Sequence, residues 1–326
     1  MSMDSLERQN VVWLRRPTLF MANAWYLLTA ASLWALPQLL AYLTKFIHRT
    51  WGVELPLTLY SGGIYCLLMA LPVILYAADK PGLSLSLRLR DPRPHVPPLA
   101  ILSGVTGAFF CDRLGECWAR LISLVGGQIA RAPAAPPQGW AEMAGALFGF
   151  ALLPGLCEEL LFRGGMLGAW ERRGTERALV VSSLAFAALH GSVQGLPVQL
   201  LLGFSLGWIV TKTNSLWTGV IFHIVYNSTV LILSYLLGGD VSVNIYAMSR
   251  PAMTLFIADT VASCALFGLM LIGLRALCAR LVPRVEGERP LDLTPLEPLE
   301  LVVLMAGIVT VMICYLEDIL KICGVL

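Results

Sequence analysis

Three short clusters place ionisable or polar side chains inside apolar stretches of the sequence. They read CysGluGluLeuLeuPheArgGly at 157–164, PheAlaAlaLeuHis at 186–190 and HisIleValTyrAsn at 223–227. A carboxylate or an imidazole can act as a general acid or base, and an imidazole or an amide can donate a hydrogen bond to a developing negative charge. The residue types therefore suit acid–base chemistry at a reacting carbonyl group.

Helical spacing predicts different roles for the two adjacent carboxylates of the first cluster. Glu159 and Arg163 stand at i and i+4, close enough to form an ion pair, whereas Glu158 lies about 100° further round the helix. An ionisable group at mid-bilayer costs roughly 2.5 to 3.5 kcal/mol on insertion scales, so such groups usually face a partner or a cavity. We expect Arg163 to neutralise Glu159. An ion-pair network that only holds the helices together is the alternative.

The other two clusters each present a two-residue stripe on one helix face. Phe186 and His190 stand at i and i+4, and so do His223 and Asn227. Phe186 is interpreted as a packing residue that shapes the wall of a site. Each histidine taken alone could be a packing or interhelical hydrogen-bonding group.

Depth in the membrane links the three clusters. At ~1.5 Å per helical residue, Glu158 lies about 21 Å from Arg172, and His190 lies about 20 Å from Arg177 at the same surface. By the same measure, His223 falls at about 12 Å and Asn227 at about 18 Å. Independent accidents would not place polar groups from three helices at one level. The clusters are therefore predicted to meet.

The elements that position these groups are predicted to be membrane-spanning helices. The chain has 326 residues, of which 57% are hydrophobic and 13% charged, and its mean hydropathy is +0.73. Apolar runs recur along its whole length, which predicts an all-α, polytopic transmembrane helical bundle of about eight or nine spans. The candidate spans are 19–43, 55–78, 99–125, 140–167, 178–190, 196–210, 216–237, 253–277 and 299–316.

The third span is the weakest, because four charged residues interrupt it: Asp112, Arg113, Glu116 and Arg120. It is interpreted either as one span or as a short span followed by an interfacial helix. Asp259 in the eighth span has no partner that the sequence identifies. Glu317, Asp318 and Lys321 are expected to form a solvated helix end, and Gln199, Trp208 and Tyr226 are expected to anchor the bundle.

Charge and cysteine content exclude other classes. A net charge of +2 does not suit a nucleic-acid-binding protein. The distribution of lysine and arginine predicts a cytoplasmic N-terminus and a multi-pass protein of the inner, or plasma, membrane. The eight cysteines have no CxxC spacing and are interpreted as small buried side chains.

The three clusters resemble the motifs of the CPBP family, the CAAX protease and bacteriocin-processing membrane proteins. That pattern is EExxxR, then FxxxH, then HxxxN or HxxxD, and all three occur here in that order. The resemblance covers roughly 140–237. It divides the chain into N-terminal helices (1–139), a catalytic core (140–237) and C-terminal helices (238–326).

The resemblance to the type II CAAX prenyl endopeptidase implies an intramembrane endopeptidase of glutamic type without a cofactor. Glu158 and His190 would activate a water molecule, and His223 and Asn227 would stabilise the oxyanion. The supporting residues would be Glu159, Arg163 and Phe186. The implied partners are the bilayer and a membrane-embedded or lipid-tethered protein or peptide.

Three alternatives remain open from the sequence. Glu158, His190 and His223 would also suit a zinc site, although the sequence has no HExxH. The bacteriocin side of the family allows a non-proteolytic immunity protein or membrane scaffold. A proton-coupled transporter fits less well, because no repeat relates the two halves of the chain.

Overall fold

The fold is an all-α bundle, as predicted. The computed structural model describes residues 17–53, 61–78, 87–128, 137, 139–236, 249–281 and 294–325. Within these ranges there are helices and no strands. In chain order the helices are α1 (Leu19–Trp51), α2 (Ser61–Ala78), α3 (Val96–Leu124), α4 (Trp140–Arg173), α5 (Thr175–Leu189), α6 (Leu196–Thr213), α7 (Leu216–Leu236), α8 (Arg250–Leu281) and α9 (Pro298–Ile322).

Six of these helices, among the described residues, are long and apolar enough to cross a membrane: α1, α4, α6, α7, α8 and α9. The apolar part of α2 is shorter, α3 carries the four charges, and α5 has only 15 residues. Most helices extend beyond the predicted spans, because their last turns are polar and hydropathy does not detect them. Part of the second predicted span, 55–60, and the N-terminal residues 1–16 that bear on orientation lie outside the described residues.

The charged third span is one continuous helix, so the prediction of a short span followed by an interfacial helix is wrong. Three carboxylates lie within 3.4 Å of the Arg113 guanidinium. The Arg113 guanidinium lies 2.6 Å from Asp112 Oδ2 and 3.2 Å from Glu116 Oε2. It also lies 3.4 Å from Asp259 Oδ2 on α8 and 5.5 Å from the centre of the Phe256 ring. Asp259 therefore has a partner that sequence reasoning could not assign.

Helix α4 is a continuous rod with two wide π-helical stretches, Leu147–Leu152 and Leu160–Met166. Between them lies an α-helical stretch, Leu153–Glu159, with Pro154 in its first turn. Proline has no N–H to donate to the preceding turn, which accounts for the irregular hydrogen bonding there. The rod ends at Gly174, whose φ of +111° suits glycine. The first cluster lies at the start of the second π stretch, a kind of irregularity that is frequent at functional sites.

Helices α4 to α7 pack together, with α3 against α6 and α7, α2 against α4, and α9 against α1 and α5. In the most apolar part of α8 only 11% of residues are buried, against 39% for α6 and α7, so α8 lies at the edge of the bundle. Glycines permit the closest approaches. A Cβ on Gly155 of α4 would lie 2.5 Å from Ile224 Cγ1 of α7. A Cβ on Gly203 of α6 would lie 3.2 Å from the Ser183 backbone of α5.

The end of α9 is not simply the solvated helix end that the sequence predicts. Glu317 and Lys321 are exposed, as expected. Asp318, in contrast, is half-buried, and its Oδ2 accepts a hydrogen bond of 2.7 Å from the backbone N–H of Val193. The prediction is wrong for this residue because α9 continues past the apolar run and packs against α5.

We predict that Gly155→Ala destabilises the bundle. The added Cβ would overlap Ile224, and overpacking of this kind typically costs 1–3 kcal/mol, or about 2 kcal/mol here. Gly149→Ala is the matched control, because a Cβ there would meet nothing within 4 Å. Thermal unfolding of the two purified variants in detergent measures the difference. Equal unfolding temperatures would show that α4 and α7 are not packed as described.

Candidate active site

The three clusters meet at one cavity of about 310 Å³. Its polar lining consists of Glu158, His190, Gln199, His223 and Asn227. The remaining wall is formed by Phe150, Pro154, Val198, Leu202 and Tyr226. These residues come from α4, α6 and α7 and from the end of α5. The four residues to which the resemblance assigns catalysis are thus brought together, and their catalytic roles stay predictions.

Glu159 lies beside the cavity and is completely buried. Its Oε1 is 3.0 Å from Arg163 Nη1, which confirms the predicted ion pair. The same oxygen is 3.1 Å from His223 Nδ1. Because a carboxylate only accepts, Nδ1 must carry the hydrogen of this bond. Glu159 therefore fixes the orientation of His223, a role that the sequence did not indicate.

Arg163 connects three helices from a position that is 1% exposed. Besides its pairing with Glu159, its Nη2 donates to the carbonyl of Gly203 on α6 at 2.9 Å. Its guanidinium lies 4.5 Å from the centre of the Phe186 ring on α5. A cation over an aromatic face is favourable, and more so when it is desolvated. The arginine therefore holds α4, α5 and α6 in one register.

Phe186 lies behind the two histidines and does not line the cavity itself. Its side chain is completely buried. Its ring centre is 4.8 Å from that of His190 and 6.0 Å from that of His223. Phe186 thus packs as predicted, but it supports the imidazoles from behind and is not part of the wall.

The two histidines differ in exposure, but each carries a hydrogen on Nδ1. His223 is 2% exposed, whereas His190 is exposed and follows the last residue of α5. His190 Nδ1 lies 2.8 Å from the carbonyl oxygen of Phe186. A carbonyl can only accept, so Nδ1 donates, and Nε2 of the neutral ring keeps its lone pair. His190 can therefore accept a proton.

Glu158 and Asn227 offer polar groups that protein partners do not use. Glu158 Oε2 is buried and has no hydrogen-bond partner among the described residues. It lies 4.0 Å from His223 Nε2, beyond hydrogen-bond distance. Asn227 also lines the cavity, and its side chain has no hydrogen-bond partner among the described residues. Both groups can bind a water molecule or a ligand in the cavity.

Gln199 and Tyr226 are cavity residues that sequence reasoning missed. The sequence placed both among bundle anchors, yet both line the cavity, while Trp208 does not. Gln199 Oε1 is buried without a hydrogen-bond partner in the described structure. Its position in the first turn of α6, just after the His190 motif, is the signal that could have identified it.

No group of three or more His, Cys, Asp or Glu among the described residues is arranged to hold a metal ion. One of the three candidate ligands, His223, already uses Nδ1 to bind Glu159. The zinc site at Glu158, His190 and His223 stays a prediction that chelation can test.

The segment that contains the cavity is similar to known proteins. Residues 140–229 match the family model described as type II CAAX prenyl endopeptidase Rce1-like. A relative from Bacillus subtilis (strain 168), named "Putative membrane peptidase YdiL", is 27% identical over 79 residues. The aligned part is 24% of this chain and 32% of the relative, so the chain spans about a third of the length of the relative. No solved structure matches the chain.

We predict that Arg163→Ala reduces the amount of folded protein. Removing one partner of a buried ion pair leaves an uncompensated charge, which typically costs about 3–5 kcal/mol. Arg177→Ala, which removes an exposed arginine from α5, is the control and should leave accumulation unchanged. Protein in the membrane fraction and unfolding temperature in detergent are the measurements. Normal accumulation of Arg163→Ala would show that the pair is not needed for folding.

Proposed function

We propose that this protein is an intramembrane endopeptidase of glutamic type, because residues 140–229 match the family model described as type II CAAX prenyl endopeptidase Rce1-like. It cleaves a peptide bond in a membrane-associated protein or in a lipidated or precursor peptide. One observation carries the proposal: a carboxylate, two imidazoles and an amide line a single cavity.

Glu158, assisted by His190, activates the water molecule. Glu158 Oε2 has no protein partner in the described structure, and His190 Nε2 keeps its lone pair because Nδ1 is bound to a carbonyl. As the water oxygen attacks the substrate carbonyl, its proton passes to Glu158. The same proton later goes to the leaving amine as the C–N bond breaks.

His223 and Asn227 stabilise the oxyanion of the tetrahedral intermediate. Asn227 donates from its amide. His223 already donates from Nδ1 to Glu159, so Nε2 can donate only when the ring is an imidazolium. Oxyanion donors of this kind typically contribute on the order of 100- to 1000-fold in rate.

The substrate enters sideways from the bilayer. Phe150 lines the cavity and is also 67% exposed on the outer face of α4, so the cavity extends to the surface of the bundle. Much of its wall is apolar, which is typical of a ligand site. A cavity of about 310 Å³ accommodates a short stretch of extended peptide, while the membrane anchor of the substrate stays in the lipid. Gln199 Oε1 is placed to accept a hydrogen bond from a peptide N–H.

We predict that Glu158→Gln abolishes cleavage without loss of protein. Removal of a general base typically costs about 100- to 10,000-fold. Comparative proteomics of membranes containing wild-type or variant protein should reveal an uncleaved precursor that accumulates with the variant. Glu176→Gln, an exposed carboxylate at the start of α5, is the control. Wild-type behaviour of Glu158→Gln would favour the non-proteolytic immunity or scaffold function instead.

A second prediction concerns the metal. Because Glu158 can bind and activate water directly, cleavage of the accumulated precursor should survive exhaustive chelation. The measurement is the cleavage rate of purified protein before and after chelation and after readdition of zinc. Loss of activity that zinc restores would contradict the metal-free mechanism and support the zinc site.

A further inference from the structure

The loop that follows His190 is held by two helices outside the family match. Both backbone polar groups of Val193 bind side chains from these helices. The Val193 N–H donates to Asp318 Oδ2 of α9 at 2.7 Å. The Val193 carbonyl accepts from Trp118 Nε1 of α3 at 2.8 Å. Helices α3 and α9 thus bind the same residue, α3 through its carbonyl and α9 through its N–H.

Helix α9 also contacts the chain on either side of His190. Tyr315 Oη donates to the carbonyl of Ala187 at 3.2 Å, in the last turn of α5. Gly191 has a φ of +60°, and a Cβ there would lie 2.9 Å from Cys314 Cβ. The left-handed backbone and the close approach both require glycine at this position.

The other hydrogen bonds of this loop's backbone are local: the N–H groups of His190, Gly191, Gly195 and Leu196 each donate to an acceptor three residues earlier. The His190 ring is exposed, and its Nδ1 donates to the carbonyl of Phe186 four residues earlier. Loops are mobile unless their backbone groups are bound, and a displacement of about 1 Å can cost on the order of 100-fold in rate. The Val193 side chain packs against the hydrophobic core, and the hydrogen bonds from α3 and α9 fix the position of its backbone.

We propose that Trp118, Tyr315 and Asp318 form a loop clamp that positions His190 for the reaction. The inference rests on the proposed function, and it adds three residues from parts of the chain that the family model does not match. They act through His190 and do not line the cavity. Asp318 contributes most, because a hydrogen bond to a carboxylate is roughly twice as strong as a neutral one.

The clamp itself is tested without any substrate. Amide hydrogen exchange of the purified protein should show faster exchange in the peptide containing Val193 for Asp318→Ala and Trp118→Phe. Glu317→Ala is the matched control, since it removes the neighbouring, exposed carboxylate of α9. Unchanged exchange in Asp318→Ala would overturn the proposal.

The catalytic consequence is tested with the precursor that accumulates with Glu158→Gln. Asp318→Ala should lower kcat on the order of 10- to 100-fold with KM changed less than twofold and normal accumulation of protein. Asp318→Asn, which keeps an acceptor oxygen, should recover most of the rate. In a His190→Ala background, Asp318→Ala should cause no further loss, because residues that act as one unit are not additive.

Two results would overturn this part of the proposal. One is an equal loss of kcat from Asp318→Ala in the wild-type and the His190→Ala backgrounds, so that the two losses multiply. The other is faster exchange at Val193 with unchanged kcat. Failure of the proposed function gives a different result. No precursor would accumulate with Glu158→Gln, while the difference in hydrogen exchange at Val193 would persist. The loop clamp would then have no catalytic role.

Discussion

The buried ion pair between Glu159 and Arg163 is the constraint on which the rest of the site depends. Removing two charges from water costs several kcal/mol each, and only close partners offset that cost. The chain supplies those partners from every neighbouring helix of the matched segment: His223 on α7, Phe186 on α5 and the Gly203 carbonyl on α6. Satisfying the pair therefore fixes the rotation of four helices, and the cavity forms between them.

Sequence reasoning could predict what depends on local spacing. The pairing of Glu159 with Arg163 follows from i, i+4 geometry, and the level of each cluster follows from helical rise. It could not predict the bond from Glu159 to His223, because that depends on how α7 is rotated against α4. The partner of Asp259 could not be predicted for a similar reason, since Arg113 reaches Asp259 only once α8 packs beside α3. Gln199 and Tyr226 were misassigned because one polar group on a helix does not reveal which side faces a cavity.

The proposed catalytic residues and the helices that hold them in place come from different parts of the chain. The residues proposed to act in acid–base chemistry and in oxyanion stabilisation all lie within 140–229, the segment that the family model matches. The helices outside that segment bind its irregular parts: α3 and α9 hold the residues after His190, and α1 and α2 pack against α4. The stability and geometry of the site therefore depend on segments that carry no recognisable motif. Such segments need no motif because many kinds of side chain can bind a backbone group.

The shortness of α5 has a consequence for the surrounding lipid. Its 15 residues span about 22 Å, less than the hydrocarbon core of roughly 30 Å, and Val180 and Leu184 on its surface are about half exposed. A helix this short meets both surfaces of the bilayer only where the hydrocarbon core is thinner. Beside this helix the aqueous phase comes closer to the centre of the membrane, which shortens the path that a water molecule or a polar peptide end must travel through the bilayer.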